Sequence, residues 1–214
     1  MNTPKEFPPT AGGKAAAGEL DDRRSEFRST SIYKPIIVET AKLSYFCMIR
    51  NLSSNGLMGT VYADLEPDQP VVVRFLPDLS VSGKVVWCRD KQIGVEFEAS
   101  IDVPHLIRVL STPTDGRKVR GPRMRLHCSG ELVIADRDLP VEVLDVSQRG
   151  VKVRAGFLRP GEEVAIRIEG LDQRKAAVRW TRNGIAGLNF ILPLKFDELA
   201  EWAIRLQLRD PSQP

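Results

Sequence analysis

The chain has 214 residues, 42% hydrophobic and 28% charged, an ordinary balance for a soluble globular protein of one large or two small domains. Its formal net charge is only +3, so no field over the whole molecule favours nucleic acid or a membrane, and attraction for phosphate has to come from local clusters. No stretch approaches the roughly 18 apolar residues that a membrane helix requires.

Residues 1–20, MNTPKEFPPTAGGKAAAGEL, lack the apolar core of a secretion signal and read as a disordered leader, so the protein is expected in the cytoplasm. A basic entry follows, RRSEFR, with Arg23, Arg24 and Arg28. Arg24 and Arg28 lie four apart, a spacing that also suits one solvated face of a short helix. NLSSNG begins 23 residues after Arg28 and runs from Asn51 to Gly56. Asn51 and Ser53 alternate onto one face of a strand end, where they can bond a ligand or backbone. Asn55-Gly56 is equally a hairpin turn that needs no ligand, and Ser53 can simply cap it. VVVRF, GKVVW and IGVEF then read as short strands, β-branched or aromatic and bounded by Gly, Pro and Asp. Val103, Leu106, Ile107 and Leu110 follow helical spacing.

STPTDGRK has the composition of a linker and places a boundary near residues 113 and 114. Beyond it comes a basic run, RKVRGPRMR, and then the strand-like segments ELVIA, VEVLDV, GVKVRA and EVAIRI. A second helical pattern, Leu199, Trp202, Ala203 and Leu206, ends the chain. Such helices can cover a barrel end or pack against a sibling domain.

An internal repeat organises these elements. LEPDQPVVVRF from Leu65 aligns with LRPGEEVAIRI from Leu158 at an offset of 93, which also carries Trp87 onto Trp180, Gly94 onto Gly187 and Phe97 onto Phe190. Asn51, Ser53 and Gly56 land on Asp145, Ser147 and Gly150 at an offset of 94, so one residue of slack lies in a loop between. Two copies of a small antiparallel barrel are expected, the first over 21–113 and the second over 114–214.

No catalytic constellation is visible: there is no nucleophile elbow, P-loop or GxGxxG, and the chain has only two histidines. The protein is therefore read as no enzyme, with no cofactor. Cys47, Cys88 and Cys128 share no short spacing, and His127-Cys128 is an adjacent pair without further ligands, so no metal site is expected. Cys47 and Cys88 sit among apolar or aromatic neighbours and read as reduced fillers.

Arg24-x-x-x-Arg28 followed by Asn51-x-Ser53-x-x-Gly56, with Trp87, Gly94 and Phe97 downstream, resembles the paired motifs of the PilZ domain family, RxxxR and D/N-x-S-x-x-G. The resemblance implies a mainly all-β protein, with two tandem six-stranded antiparallel barrels each followed by a short α-helix. It also implies that Arg23, Arg24, Arg28, Asn51, Ser53 and Gly56 hold cyclic di-GMP. The chemistry agrees. The ligand's two phosphates and the N7/O6 edges of its guanines accept hydrogen bonds, and arginine's planar fork answers both with bidentate, charge-assisted bonds. The family resemblance further implies that the residue before RxxxR influences stoichiometry, so Arg23 is expected to support two stacked ligands per site.

The second copy keeps Asp145-x-Ser147-x-x-Gly150 but lacks RxxxR, because an offset of 94 lands on Lys118 and Pro122. Lys118, Arg120 and Arg123 form a possible substitute clamp beside Asp145, Ser147 and Gly150, or a basic linker. The expected function is a receptor that binds cyclic di-GMP at the first domain and rearranges to signal to an unidentified downstream protein. A degenerate adaptor that binds no nucleotide is the alternative. A nucleic-acid binder using RKVRGPRMR is a third class. It needs exposed aromatics, and Trp87 and Trp180, set in apolar strands, are expected to pack in the core.

Overall fold

The computed structural model describes residues 30–111, 121–134 and 137–209. The leader, Arg23, Arg24, Arg28, Lys118 and Arg120 lie outside the described residues. In the first half, β1 (Thr30–Glu39), β2 (Ser44–Ser53), β3 (Gly56–Thr60), β4 (Pro70–Leu76), β5 (Leu79–Arg89) and β6 (Gln92–Phe97) precede α1 (Val103–Ser111). In the second half, β7 (Met124–Ile134), β8 (Arg137–Ser147), β9 (Gly150–Arg154), β10 (Glu163–Ile168), β11 (Leu171–Arg182) and β12 (Ile185–Phe190) precede α2 (Phe196–Gln207). Each set closes into a six-stranded antiparallel barrel, in the orders β1-β2-β3-β6-β5-β4 and β10-β11-β12-β9-β8-β7. The expected architecture is the observed one.

Alternation fills each barrel from within. Val71, Val73 and Phe75 of β4 point inward, as do Val164, Ile166 and Ile168 of β10, while the residues between them are half-buried. The tightest hairpins turn through residues with positive φ, Asp90 (51°) and Lys91 (59°) in the first barrel, Asn183 (50°) and Gly184 (76°) in the second. The one residue of slack in the repeat lies in the crossover loop after β3 and β9, where residues 61–64 answer to 155–157. Asp102 starts α1 by accepting the His105 N–H at 2.9 Å on its carboxylate.

The two helices do different work. In α1, Val103, Leu106 and Leu110 bury against the first barrel alone. In α2, Leu199, Ala200, Trp202 and Ala203 join the core of the second barrel, while Ile204 reaches the core of the first. This helix lies against β2 and fixes the barrels together. Gln207 accepts the Ser44 N–H on Oε1 at 2.9 Å and donates from Nε2 to the Ser44 carbonyl at 2.8 Å. Lys91 pairs with Glu201 at 3.1 Å, and Phe46 meets Phe196 edge-on with ring centroids 6.5 Å apart.

The seat for α2 is an apolar pair on the outside of the first barrel. Ile36 and Val38 of β1, and Tyr45 and Cys47 of β2, face the first barrel's interior, whereas their neighbours Ile37 and Phe46 face outward and belong to the second barrel's core. Ile37 and Phe46 are direct cross-strand partners. The corresponding pair in the second barrel is Glu131 and Pro140, with Glu131 bound to Arg167 at 2.7 Å. Only the first barrel therefore offers this seat, and stacking does not propagate.

Candidate ligand-binding site

A row of cross-strand neighbours on the outer face of the first barrel contains the expected acceptor turn. Asn51 of β2 pairs with Met58 of β3, Met58 with Gly94 of β6, and Gly94 with Trp87 of β5. Two β-bulges place these residues on one face. One adds Arg50 between Ile49 and Asn51, and the other adds Val86 between Val85 and Trp87. Without the second, strict alternation after the inward Val85 turns Trp87 into the core. With it, Trp87 is only half-buried and lies across Gly94, whose missing Cβ would sit 2.3 Å from the indole nitrogen. The expectation that Trp87 and Trp180 pack in the core is thus corrected for both. Trp180 repeats the arrangement over Gly187, after a bulge between Val178 and Trp180.

A cavity of about 420 Å³ opens on this face, walled by Asn51, Ser53, Asn55, Gly56, Met58, Val86, Trp87, Gly94 and Glu96 among others. The size suits a small-molecule ligand. Arg89 stands 5.5 Å from the Trp87 ring, leaving the indole a cation-braced platform. Asn51 accepts the Ser31 hydroxyl at 3.0 Å, and the Ser53 hydroxyl donates to the Gly56 carbonyl at 3.1 Å. Ser53 closes its own turn, and its oxygen keeps acceptor capacity. None of the described residues lining this cavity is basic.

Gly56 serves the sheet rather than the turn. Its φ is not positive, and a Cβ there would meet the Val95 carbonyl oxygen at 2.3 Å. Gly150 repeats this against Leu188, where the same Cβ would stand at 2.1 Å. Gly56→Ala is accordingly expected to push β3 off β6 and destabilise the protein by about 1–3 kcal/mol, read by chemical denaturation. A stability unchanged within error contradicts the close approach.

The second barrel carries the same row with different chemistry. Asp145 pairs with Lys152, Lys152 with Gly187, and Gly187 with Trp180. Lys152 occupies the position of Met58, and its ammonium holds the Asp145 Oδ2 at 2.5 Å. Arg123 holds Oδ1 at 2.7 Å, and Asp145 is only 5% exposed. Both carboxylate oxygens are thereby engaged within the protein. Ser147 donates to the Gly150 carbonyl at 3.1 Å, as Ser53 does in its own turn. Of the possible second clamp, Arg123 lies in this site, while Lys118 and Arg120 fall outside the described residues.

Burial pushes the Cys47 thiol up to about 12 and likewise raises Cys128 to about 12, and all three cysteines are unpaired.

A model of the PilZ domain matches residues 22–111 and again residues 117–205. The chain belongs to the PilZ domain family. Both barrels are PilZ domains, and the bulged tryptophan on its glycine is a feature that both share. Among solved structures this PilZ protein is similar to PlzA of Borreliella burgdorferi, solved in complex with c-di-GMP, at 11% identity and a TM-score of 0.39, covering 85% of this chain and 96% of that one. It is also similar to the inhibitor of motility MotI of Bacillus subtilis, at 14% identity and a TM-score of 0.34, covering 84% and 98%. Escherichia coli YcgR, in complex with c-di-GMP, aligns at 10% identity and a TM-score of 0.32, covering 86% and 82%. No curated protein matches the chain.

No sequence motif pointed to Trp87 or Trp180 as site residues. The available signal was the recurrence of Trp seven residues before Gly in both copies, at 87 and 94 and at 180 and 187.

Proposed function

We propose that this PilZ protein is a non-enzymatic, cytoplasmic receptor for cyclic di-GMP. The first barrel holds the dinucleotide through Asn51, Ser53 and Gly56 on its face and through Arg24 and Arg28, with Arg23 beside them. The observation that supports this best is the outer row Asn51–Met58–Gly94–Trp87, which joins hydrogen-bonding groups to an indole platform in one cavity. Guanine stacks on such a ring, and its edge finds the amide of Asn51. Occupancy then alters the docking of the two barrels and exposes a surface for a downstream protein. β2 is the natural connection, since it carries Asn51 and Ser53 at one end and Ser44 and Phe46, which hold α2, near the other.

Isothermal titration with cyclic di-GMP tests this. Binding in the micromolar range or tighter is expected, and no heat at high micromolar ligand instead supports an adaptor that needs no nucleotide. The same titration reads stoichiometry. With Arg23 balancing the added phosphates of a stacked pair, about two ligands are expected at the first barrel, falling toward one in Arg23→Leu. An unchanged ratio in Arg23→Leu removes the special role of Arg23.

A further inference from the structure

We propose that the second barrel holds a nucleotide site of its own at the domain junction, one that takes purine nucleotides through their phosphates without selecting guanine. A cavity of about 410 Å³ lies there, walled by Arg123, Arg149, Arg179 and Trp180 of the second barrel and by Pro35 and Phe46 of the first. The site is complete only while the barrels are docked, because the first barrel supplies one wall.

The charge of this cavity differs from that of its counterpart in kind. Arg149 stands where the first barrel has Asn55, and Arg179 where it has Val86. Both arginines are exposed, and neither has an acidic partner among the described residues. No acidic side chain lines the cavity. The second barrel lacks RxxxR, yet it carries two guanidinium forks on its own surface. Guanidinium forks bind phosphate in a bidentate, charge-assisted way.

Base selectivity is lost by a further substitution. Recognition of guanine's N1–H and N2 amino group requires an acceptor, and Asp145 is the carboxylate whose type suits that part. Arg123 and Lys152 hold that carboxylate down, 5% exposed and outside the lining of the cavity, and Lys152 is present only in this barrel, where the first has Met58. What faces the cavity is guanidinium forks, neutral polar groups and an indole, with no carboxylate. The forks can reach phosphate or the N7 acceptor that adenine and guanine share. Trp180 on Gly187 offers a stacking surface to any base. Asn189, with both a donor and an acceptor on its amide, adapts to either edge.

The test uses the full chain and cyclic di-AMP, which matches cyclic di-GMP in its phosphates and carries no guanine. Its outcome is therefore separate from cyclic di-GMP binding at the first barrel. Saturable binding is expected by titration calorimetry, with Trp fluorescence as a second readout. Arg149→Ala and Arg179→Ala should each weaken it by about 10- to 100-fold. Arg137→Ala, an exposed arginine of the same barrel outside the cavity, should leave it in place. Both target arginines are exposed, so wild-type melting temperatures are expected for the variants and separate lost binding from lost fold. No binding of cyclic di-AMP to the wild-type chain overturns the proposal. So does binding that survives in both Arg149→Ala and Arg179→Ala.

Discussion

Arg24→Ala or Arg28→Ala is expected to weaken cyclic di-GMP binding by about 30- to 150-fold, a loss of roughly 2–3 kcal/mol. The size of the effect follows from the composition of the first cavity. Its described lining carries Asn51, Ser53 and Asn55 as polar groups, Glu96 as an acid, and no basic residue. Two phosphates brought to that face therefore need cations from elsewhere, and RRSEFR lies upstream of the barrel with three. Each fork removed leaves a phosphate without its charge-assisted partner. Lysine at either position restores the charge but not the planar geometry, so Arg28→Lys should recover only part of the loss. Titration calorimetry at fixed salt measures this. Equal affinities in wild type and both alanine variants would remove the arginines from the site.

Phe46→Ala is expected to cost about 3–5 kcal/mol, the largest stability effect of any single change argued for this protein. Phe46 is 1% exposed although it points away from the interior of its own barrel. Its partners are Ile37 beside it and Phe196 of α2, whose ring it meets at 78°. Alanine there removes the ring that the second barrel's core closes upon, and the first barrel's interior loses nothing. The loss therefore falls on docking. Wild-type protein should unfold in one transition, and Phe46→Ala should unfold in two, with a lowered midpoint for at least one barrel. A single transition within about 1 kcal/mol of wild type contradicts the role given to this contact.

Much of the fold was legible because one pattern occurs twice. The later strands of each copy, VVVRF and EVAIRI above all, are short, β-branched and flanked by turn residues. The offset of 93 or 94 then marked them as equivalent. β1 and β2 of the first barrel are absent from that list for a physical reason. IIV and YFCMI are apolar without interruption, since alternate residues fill the first barrel while the others receive α2. A strand buried on both faces loses the period of two by which strands are recognised. In the second barrel the equivalent outer positions are Glu131 and Pro140, and there the strands ELVIA and VEVLDV could be read.

The candidate site divides along a similar line. Asn51, Ser53 and Gly56 were singled out by the resemblance to the PilZ paired motifs, while the spacing alone gave a hairpin end with alternate residues on one face. Trp87 could not. A bulge of one residue reverses its direction, and such a bulge depends on the fit between β5 and β6 across Gly94. Gly56 was recognised, but its reason was not, since the carbonyl it must avoid belongs to Val95, distant in sequence.

By itself, the sequence determined the domain count, the barrel class and the positions of both acceptor turns, all of which depend on local pattern and repetition. The tertiary structure alone decided the rest. It turned the two tryptophans outward, closed Asp145 between Arg123 and Lys152, and seated α2 on Ile37 and Phe46. Each of these is a meeting of side chains from separate strands or separate barrels. Local propensity carries no record of such contacts, because they exist only once the sheets have closed and the barrels have docked.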